Sequence, residues 1–230
     1  MKQYNRVCAR INLDAIAYNM EQMKNRIGQE GRLIAVIKTD AYGHGAVPLA
    51  EMFEETPYIW GYAVACMGEA RTLRAHGIKK PILILGCVFP DEYEEMVEKE
   101  IRAAVYTEEM AKGMADAAAR SGKTAFLHIK IDTGMSRIGF EASEESIDQI
   151  VNISNLNNLY IEGIYTHFAK SDEIDKDFTY KQADRFKFMV DSIEKRGINI
   201  PIKHVSNSAA TIDLPDLNFN MVRCGIVLYG

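Results

Sequence analysis

Short apolar runs alternate with amphipathic helical segments along the whole chain, and this alternation limits the possible folds more than any other feature. Several runs are almost continuously apolar, as is typical of parallel strands that helices cover. Eight such strands separated by helices favour an α/β fold of the (β/α)₈ TIM barrel type over an open doubly wound sheet. The predicted strands are residues 32–37, 58–65, 81–86, 103–106, 125–132, 160–167, 201–206 and 221–228.

The sequence predicts one domain over residues 1–230, because repeats and Pro-, Gly- or Ser-rich linkers are absent from it. No helix follows the eighth strand, so we expect the helix at about 14–28 to take the eighth outer position. A short strand at about 6–13 would then lie outside the barrel. The predicted N-caps are Asp14, Thr107 and Ser143, and the predicted helix stops are Gly122 and Gly197.

Charge and composition exclude several classes of protein. A formal net charge of −5 argues against a general nucleic-acid binder, although a local anion site is compatible with it. The first residues contain no long apolar run, and none of the apolar runs is long enough for a membrane span, so we expect neither a signal peptide nor a membrane anchor. Cys8, Cys66, Cys87 and Cys224 form no CxxC pair, so we expect reduced thiols and no metal site in a cytoplasmic protein.

Polar residues follow the predicted strands at the end where barrel enzymes place their reactive groups. Lys38 ends the apolar run 33–37, so its amine needs water, a partner or a cofactor. Such a lysine can form a Schiff base as the neutral amine, or it can reach solvent at the rim. The same rim is expected to hold Tyr42, Arg137, His167, Asn207, Ser208, Arg223, Gly225 and Ile226.

The loops after strands 7 and 8 have the composition of a phosphate site. Asn207 and Ser208 begin a short predicted helix, and the Gly225–Ile226 pair allows close approach of the backbone. Barrels often bind phosphate with these two loops. A simple helix cap and an ordinary strand glycine would explain the same residues.

Strand 5 alternates between apolar and polar residues. One face consists of Leu127, Ile129 and Ile131, and the other of His128, Lys130 and Asp132. Because the apolar face should meet the helices, the polar face should point into the barrel. An inward Lys130 needs a negative partner, which is either Asp132 or a carbamate formed on the lysine itself.

Five segments together resemble alanine racemases. AVIKTDAYGHG is similar to the cofactor-lysine motif of that family, with Thr39 where alanine is usual. HIKIDTGMSRIGF, YTHFAKSDE, HVSNSAA and NMVRCGIVLYG follow in the family's order, with Cys224 where proline is usual. The resemblance therefore spans the chain from about residue 7.

This resemblance implies a pyridoxal 5'-phosphate cofactor held by Lys38, which would also act as the base toward the α-hydrogen of the D-enantiomer. It places Arg137 near the cofactor's phenolic oxygen and the substrate carboxylate. Lys130 stands where many members carry a carbamylated lysine that orients this arginine.

The remaining site residues are assigned by the same resemblance. His167 would lie beside the pyridine ring, and Arg223 would hydrogen-bond the pyridine nitrogen with His204 as its support. The phosphate would be bound by Tyr42, Asn207, Ser208, Gly225 and Ile226.

The activity implied is two-base interconversion of L- and D-alanine, a peptidoglycan precursor, or of serine as in racemases of the vancomycin-resistance type. Family members continue into a C-terminal β-domain that is absent from this chain. That domain supplies the second base, a tyrosine, from the other subunit of a homodimer. We therefore expect the chain alone to be nearly inactive.

Three other functions are compatible with a barrel of this length. They are a non-catalytic single-barrel protein that binds pyridoxal phosphate for its homeostasis, a decarboxylase of the same superfamily, and a phosphate-sugar enzyme without this cofactor. The first lacks the KxDAYGHG sequence, and the second differs at the lysine motif. The third would lack the yellow colour that pyridoxal phosphate bound to a lysine gives a purified protein.

Overall fold

Eight parallel strands form the barrel that the alternating pattern predicts, in a computed structural model that describes residues 7–230. Their order around the barrel is β8-β7-β5-β4-β3-β2-β1-β9, and a two-residue strand, β6, pairs with the end of β5. The strands are β1 (Arg32–Val36), β2 (Ile59–Val64), β3 (Ile82–Ile84), β4 (Ile101–Val105), β5 (Ala125–Asp132), β6 (Phe140–Glu141), β7 (Leu159–Tyr165), β8 (Ile202–His204) and β9 (Met221–Cys224).

The barrel closes between its last two strands through fewer contacts than elsewhere. β9 pairs with β1 in a regular parallel register. Between β8 and β9, the Arg223 amide donates to the Ser206 carbonyl at 3.0 Å, and the Lys203 amide donates to the Asn220 side chain at 2.8 Å. Together with the β9–β1 pairing, these bonds close the barrel and bring the ends of its strands to one rim.

Helices surround the strands, and most of the predicted helix ends are confirmed. Thr107 and Ser143 cap α6 and α7, and Gly122 ends α6 in the left-handed conformation. Gly197 follows the last residues of α8, whereas Asn12 rather than Asp14 caps α1. The helices are α1 (Leu13–Ile27), α2 (Lys38–Gly43), α3 (Ala46–Phe53), α4 (Met67–Ala75), α5 (Tyr93–Glu98), α6 (Glu108–Ser121), α7 (Glu144–Ser154), α8 (Asp177–Lys195) and α9 (Ser208–Asp213).

Strand 5 divides its side chains as the alternation predicts. Leu127, Ile129 and Ile131 join the large apolar core between strands and helices. His128 and Lys130 are buried on the other face, which points into the barrel. α1 packs against β1, α9 and the turn at 226–228, so it takes the expected eighth outer position.

Two expectations about the chain ends are corrected. The predicted strand at about 6–13 is wrong over the described part: residues 7–12 form no strand, and Leu13 already belongs to α1. A strand is stable only with a hydrogen-bonding partner, and none of the strands found between residues 7 and 230 pairs with this exposed segment. Residue 6 lies outside the described residues. The eighth barrel strand ends at Cys224 rather than 228, because the chain turns at 226–228 to cover the rim.

The described part of the chain contains no helix with the length and apolar character needed to cross a bilayer.

Candidate functional site

A cavity of about 700 Å³ opens where the barrel strands end, a volume typical of sites for small molecules and cofactors. Residues that follow β1, β2, β3, β5, β7, β8 and β9 line it. The structure thus brings together all of the predicted site residues except His204, which lies behind Arg223. Those lining the cavity are Lys38, Tyr42, Lys130, Arg137, His167, Asn207, Ser208, Arg223, Gly225 and Ile226.

Lys38 enters the cavity directly after the buried end of β1. The residue before it, Ile37, is fully buried, whereas Lys38 is half-buried. Its Nζ lies 5.0 Å from the centre of the Tyr42 ring, which also lines the cavity. This position favours the reactive interpretation of Lys38 over a side chain that merely extends from the rim to solvent.

The backbone after Lys38 is strained. Thr39 to Tyr42 all have left-handed backbone angles, with φ between 53° and 55°. This conformation costs about 1–2 kcal/mol per non-glycine residue, so neighbouring groups must hold the turn. Backbone strain of this kind is concentrated at functional sites. Here the strained turn determines how the Lys38 and Tyr42 side chains are presented to the cavity.

Glu69 holds this turn from α4. One carboxylate oxygen accepts the Thr39 amide at 2.6 Å, and the other accepts the Ala65 amide at 2.7 Å, so the side chain joins the ends of β1 and β2. Asp40 adds a second anchor by accepting the Ala46 amide at 2.7 Å. Sequence reasoning missed Glu69, which lies 30 residues away from Thr39 along the chain.

Replacing Glu69 by glutamine should loosen the turn, because the new amide NH₂ would oppose one of the two backbone donors. We expect the free energy of unfolding in urea to fall by about 1–2 kcal/mol, the scale of one hydrogen bond to a charged group. Glu51→Gln, at an exposed glutamate of the neighbouring α3, is the control and should change stability little. Equal stability of the two variants would show that Glu69 does not hold the turn.

Ser208 and Gly225 form a polar corner at the predicted phosphate position. The Ser208 hydroxyl accepts the Gly225 amide at 3.0 Å, and the Tyr42 hydroxyl lies so near Gly225 that an added Cβ would come within 2.8 Å of it. A larger residue there would therefore push the Tyr42 hydroxyl aside. The Asn207 side-chain oxygen accepts the Ala210 amide at 3.1 Å and the Ser171 hydroxyl at 2.8 Å, so it caps α9 at the edge of the cavity.

Arg223 crosses the floor of the cavity with nearly all its donors in use. Nη1 donates to the carbonyl and to Nδ1 of His204, at 2.8 and 3.1 Å. Nη2 donates to the carbonyls of Thr166 and Val205, at 2.7 and 3.1 Å, and lies 3.5 Å from His167 Nδ1. Within residues 7–230 no acceptor is found for Nε, which leaves one N–H for a ligand in the cavity. Burial lowers the pKa of the guanidinium to about 10, so it remains charged at neutral pH.

The histidines near Arg223 are kept neutral. Burial, and then the charge of Arg223, lowers the pKa of His167 to about 3. The same two causes lower the pKa of His204 well below its ordinary value. His204 also stacks on Tyr165, with ring centres 4.8 Å apart.

Lys130 has no ion-pair partner in the described part of the chain. Asp132, one of the two expected partners, instead accepts the amides of Gly134 and Ser136 at 2.8 and 3.1 Å. Lys130 donates to the Ile131 carbonyl, and burial followed by the Arg223 charge lowers the pKa of its amine to about 7. Arg137 lines the cavity as an exposed side chain.

Tyr165 is a cavity residue that the sequence analysis did not single out. Its ring lies under Lys130 and Arg223, 5.5 and 5.0 Å from their charged groups. Its hydroxyl is buried and has no partner within residues 7–230, which marks a position for a polar group of a ligand. The alternation of β7 could have identified it, since Tyr165 and Gly163 share one face.

The family model described as "Alanine racemase, N-terminal domain" matches residues 11–230. The alanine racemase of Clostridium tetani is 45 % identical over 229 residues, which are 100 % of this chain and 59 % of that protein. The chain thus spans about three fifths of the length of this relative.

Solved structures agree with the sequence match. The alanine racemase of Clostridium difficile 630, in a complex with cycloserine, has a TM-score of 0.94 at 45 % identity and covers 96 % of this chain and 60 % of its own. A histidine racemase from Leuconostoc mesenteroides has a TM-score of 0.83 at 28 % identity, over 96 % of this chain and 58 % of its own.

Proposed function

The chain belongs to the alanine racemase family, and from this premise we propose that it is the cofactor-binding barrel of a pyridoxal-phosphate-dependent amino-acid racemase. One observation carries the proposal: Lys38, Arg223 and the Ser208–Gly225 corner line the same cavity. This cofactor needs an amine for its aldehyde, a polar partner for its ring and a site for its phosphate, and these three residues or corners would provide them in that order.

The residues present fit the cofactor. Tyr42 and Ser208 offer hydroxyl groups beside Gly225, where a Cβ would fill the space. Arg223 Nε and the Tyr165 hydroxyl, for which residues 7–230 provide no partner, belong to residues that line the same cavity and offer polar contacts to a heteroaromatic ring. Lys38 would hold the aldehyde carbon covalently through its amine.

When bound, pyridoxal phosphate supplies the electron sink that allows an amino acid to lose its α-hydrogen. The Lys38 amine would then take and return the α-proton on its face of the substrate. Arg223 cannot accept a proton, because its guanidinium keeps its charge and only donates hydrogen bonds. His167, neutral by burial, would pack beside the ring without adding a further charge.

Lys130 is expected to carry a carbamate in this family. With its pKa lowered to about 7, a large fraction of the amine is neutral at pH 7 and can add carbon dioxide with release of one proton. The resulting anion would face Arg137 and orient it toward a substrate carboxylate. Native mass spectrometry in bicarbonate buffer should show the mass of one added carbon dioxide, and Lys130→Ala should remove it. An unchanged mass in the unaltered protein would contradict the carbamate.

The substrate, partner and location are part of the proposal. Alanine is the substrate we propose, with serine as the alternative, and the family's second base would come from the other subunit of a homodimer. The two-base reaction would take place in the cytoplasm, where thiols such as Cys66 and Cys87 remain reduced.

Exchange of the α-hydrogen tests the proposal directly. The 230-residue protein, loaded with pyridoxal phosphate in D₂O, should exchange the α-hydrogen of alanine faster than the free cofactor does, as followed by proton NMR. Exchange no faster than with free cofactor would contradict a racemase barrel.

A further inference from the structure

A chain of polar contacts runs from the cavity floor through the barrel to its opposite end. Arg223 Nη1 meets His204 Nδ1 at 3.1 Å, and His204 Nε2 meets His128 Nδ1 at 2.8 Å. His128 Nε2 then meets Glu162 at 3.4 Å, and Glu162 pairs with Arg102 at 3.0 Å. Of these five residues, only Arg223 lines the cavity.

The charged groups at the two ends of this hydrogen-bonded series favour one position for the hydrogen on each histidine ring. A guanidinium only donates, so His204 Nδ1 must accept from Arg223. A neutral His204 therefore carries its hydrogen on Nε2 and donates to His128 Nδ1. His128 in turn carries its hydrogen on Nε2 and donates to Glu162. The reverse arrangement would point His204 Nδ1–H at the Arg223 donor.

The burial and charge of these groups support neutral imidazoles and a charged carboxylate. Both histidines are fully buried, and burial is the first cause that lowers the pKa of each. Burial raises the pKa of Glu162, but hydrogen bonds from His128 and Arg102 outweigh it and lower this pKa to about 2. Glu162 thus presents a stable acceptor to His128.

The backbone beside His128 leaves room for this arrangement. Gly163 on β7 is the register partner of His128 on β5. A Cβ at Gly163 would lie 2.4 Å from His128 Nδ1 and 2.5 Å from its Cε1, so the imidazole rests against bare backbone. The sole tryptophan, Trp60, packs on the same ring with centres 5.4 Å apart.

We propose that Glu162 and His128 are positioning residues for Arg223: they hold His204 in the Nε2–H tautomer, so that its Nδ1 accepts from Arg223 Nη1 and keeps the guanidinium in place, with Nε left for a ligand. This rests on the proposed function, since Arg223 Nε is the group offered to the cofactor ring. Neither residue touches the ligand, and both act through His204.

Histidine tautomers in ¹⁵N-labelled protein without cofactor test this arrangement. The unaltered protein should show His128 and His204 as neutral Nε2–H tautomers. In Glu162→Gln the side-chain amide both donates and accepts, so the reverse arrangement is opposed only at the Arg223 end, and His204 should show a detectable fraction of the Nδ1–H tautomer. Glu95→Gln, at a surface ion pair with Arg71, is the matched control and should leave both tautomers unchanged.

Cofactor affinity gives the second readout. Glu162→Gln should bind pyridoxal phosphate about tenfold more weakly, the factor for one hydrogen bond of ordinary strength, and the control should not. If Glu162→Gln does not fold because Arg102 is left unpaired, the paired change Arg102→Met/Glu162→Gln removes both charges and has the same expected result.

A protonated or Nδ1–H His204 in the unaltered protein would overturn the inference, as would a Glu162 variant with unchanged tautomers and affinity. If the unaltered protein binds no pyridoxal phosphate, the proposed function fails, while the tautomers still decide whether Glu162 and His128 position Arg223.

Discussion

Lys38→Ala should abolish the covalent attachment of pyridoxal phosphate. After borohydride reduction of the loaded protein, peptide mapping should find the pyridoxyl group on Lys38 in the unaltered chain and on no lysine in the variant. The physical reason is that the Lys38 amine projects into the cavity at the end of β1, beside Tyr42 and within reach of the polar corner.

Lys130 is the informative control, because it also lines the cavity and its pKa, lowered to about 7, leaves a large fraction of its amine neutral, as a Schiff base requires. Geometry argues against it: Lys130 is only 2 % exposed, and its amine donates to the Ile131 carbonyl. Lys130→Ala should therefore keep the trapped cofactor. Attachment to Lys130 or to the exposed Lys170 in the unaltered protein would show that the assignment of Lys38 is wrong.

The 230-residue chain, tested as it is, should racemise alanine far more slowly than a full-length relative. The base toward the opposite face is expected from a region of the family beyond the matched domain. A positioned acid–base group contributes about 10²–10⁴-fold to a rate, and lost substrate contacts add to the deficit. We expect L-to-D conversion to fall by at least that factor.

Proton exchange with retention should survive better than inversion, because it needs only the face served by Lys38. The measurement follows conversion by chiral chromatography and exchange by NMR in the same samples. Conversion at the rate of the full-length relative would contradict the two-base proposal and show that this chain holds both bases.

The fold was predictable because it depends on local periodicity. Alternation along β5 placed Lys130 inside the barrel and Ile129 against the helices, and the structure confirms both. The rim residues followed from the rule that barrel sites lie at the carboxyl ends of strands. The strand predicted at about 6–13 failed over its described residues because a local pattern cannot supply a pairing partner.

The supports of the site were not predictable from local patterns. Glu69 reaches Thr39 across 30 residues, and His128 reaches His204 across 76. Only the closed barrel brings these pairs together. The left-handed turn at residues 39–42 was also missed, since threonine, alanine and tyrosine rarely adopt this conformation and the single aspartate is too weak a signal for four such residues in a row.

Arg223 shows how much the structure adds to a correctly predicted residue. The sequence placed an arginine at the rim, but its five acceptors are carbonyls and imidazole nitrogens from β8 and from the loops that follow β7 and β8. This fixed setting leaves a single N–H for a ligand.

Titration of the unaltered chain with pyridoxal phosphate, beside pyridoxal without its phosphate, tests whether this barrel holds the cofactor. We expect saturation at one equivalent per chain with reducible attachment at Lys38, and much weaker binding of the form that lacks the phosphate. No saturable binding, or equal binding of the two forms, would contradict a site built from Lys38, Arg223 and the Ser208–Gly225 corner.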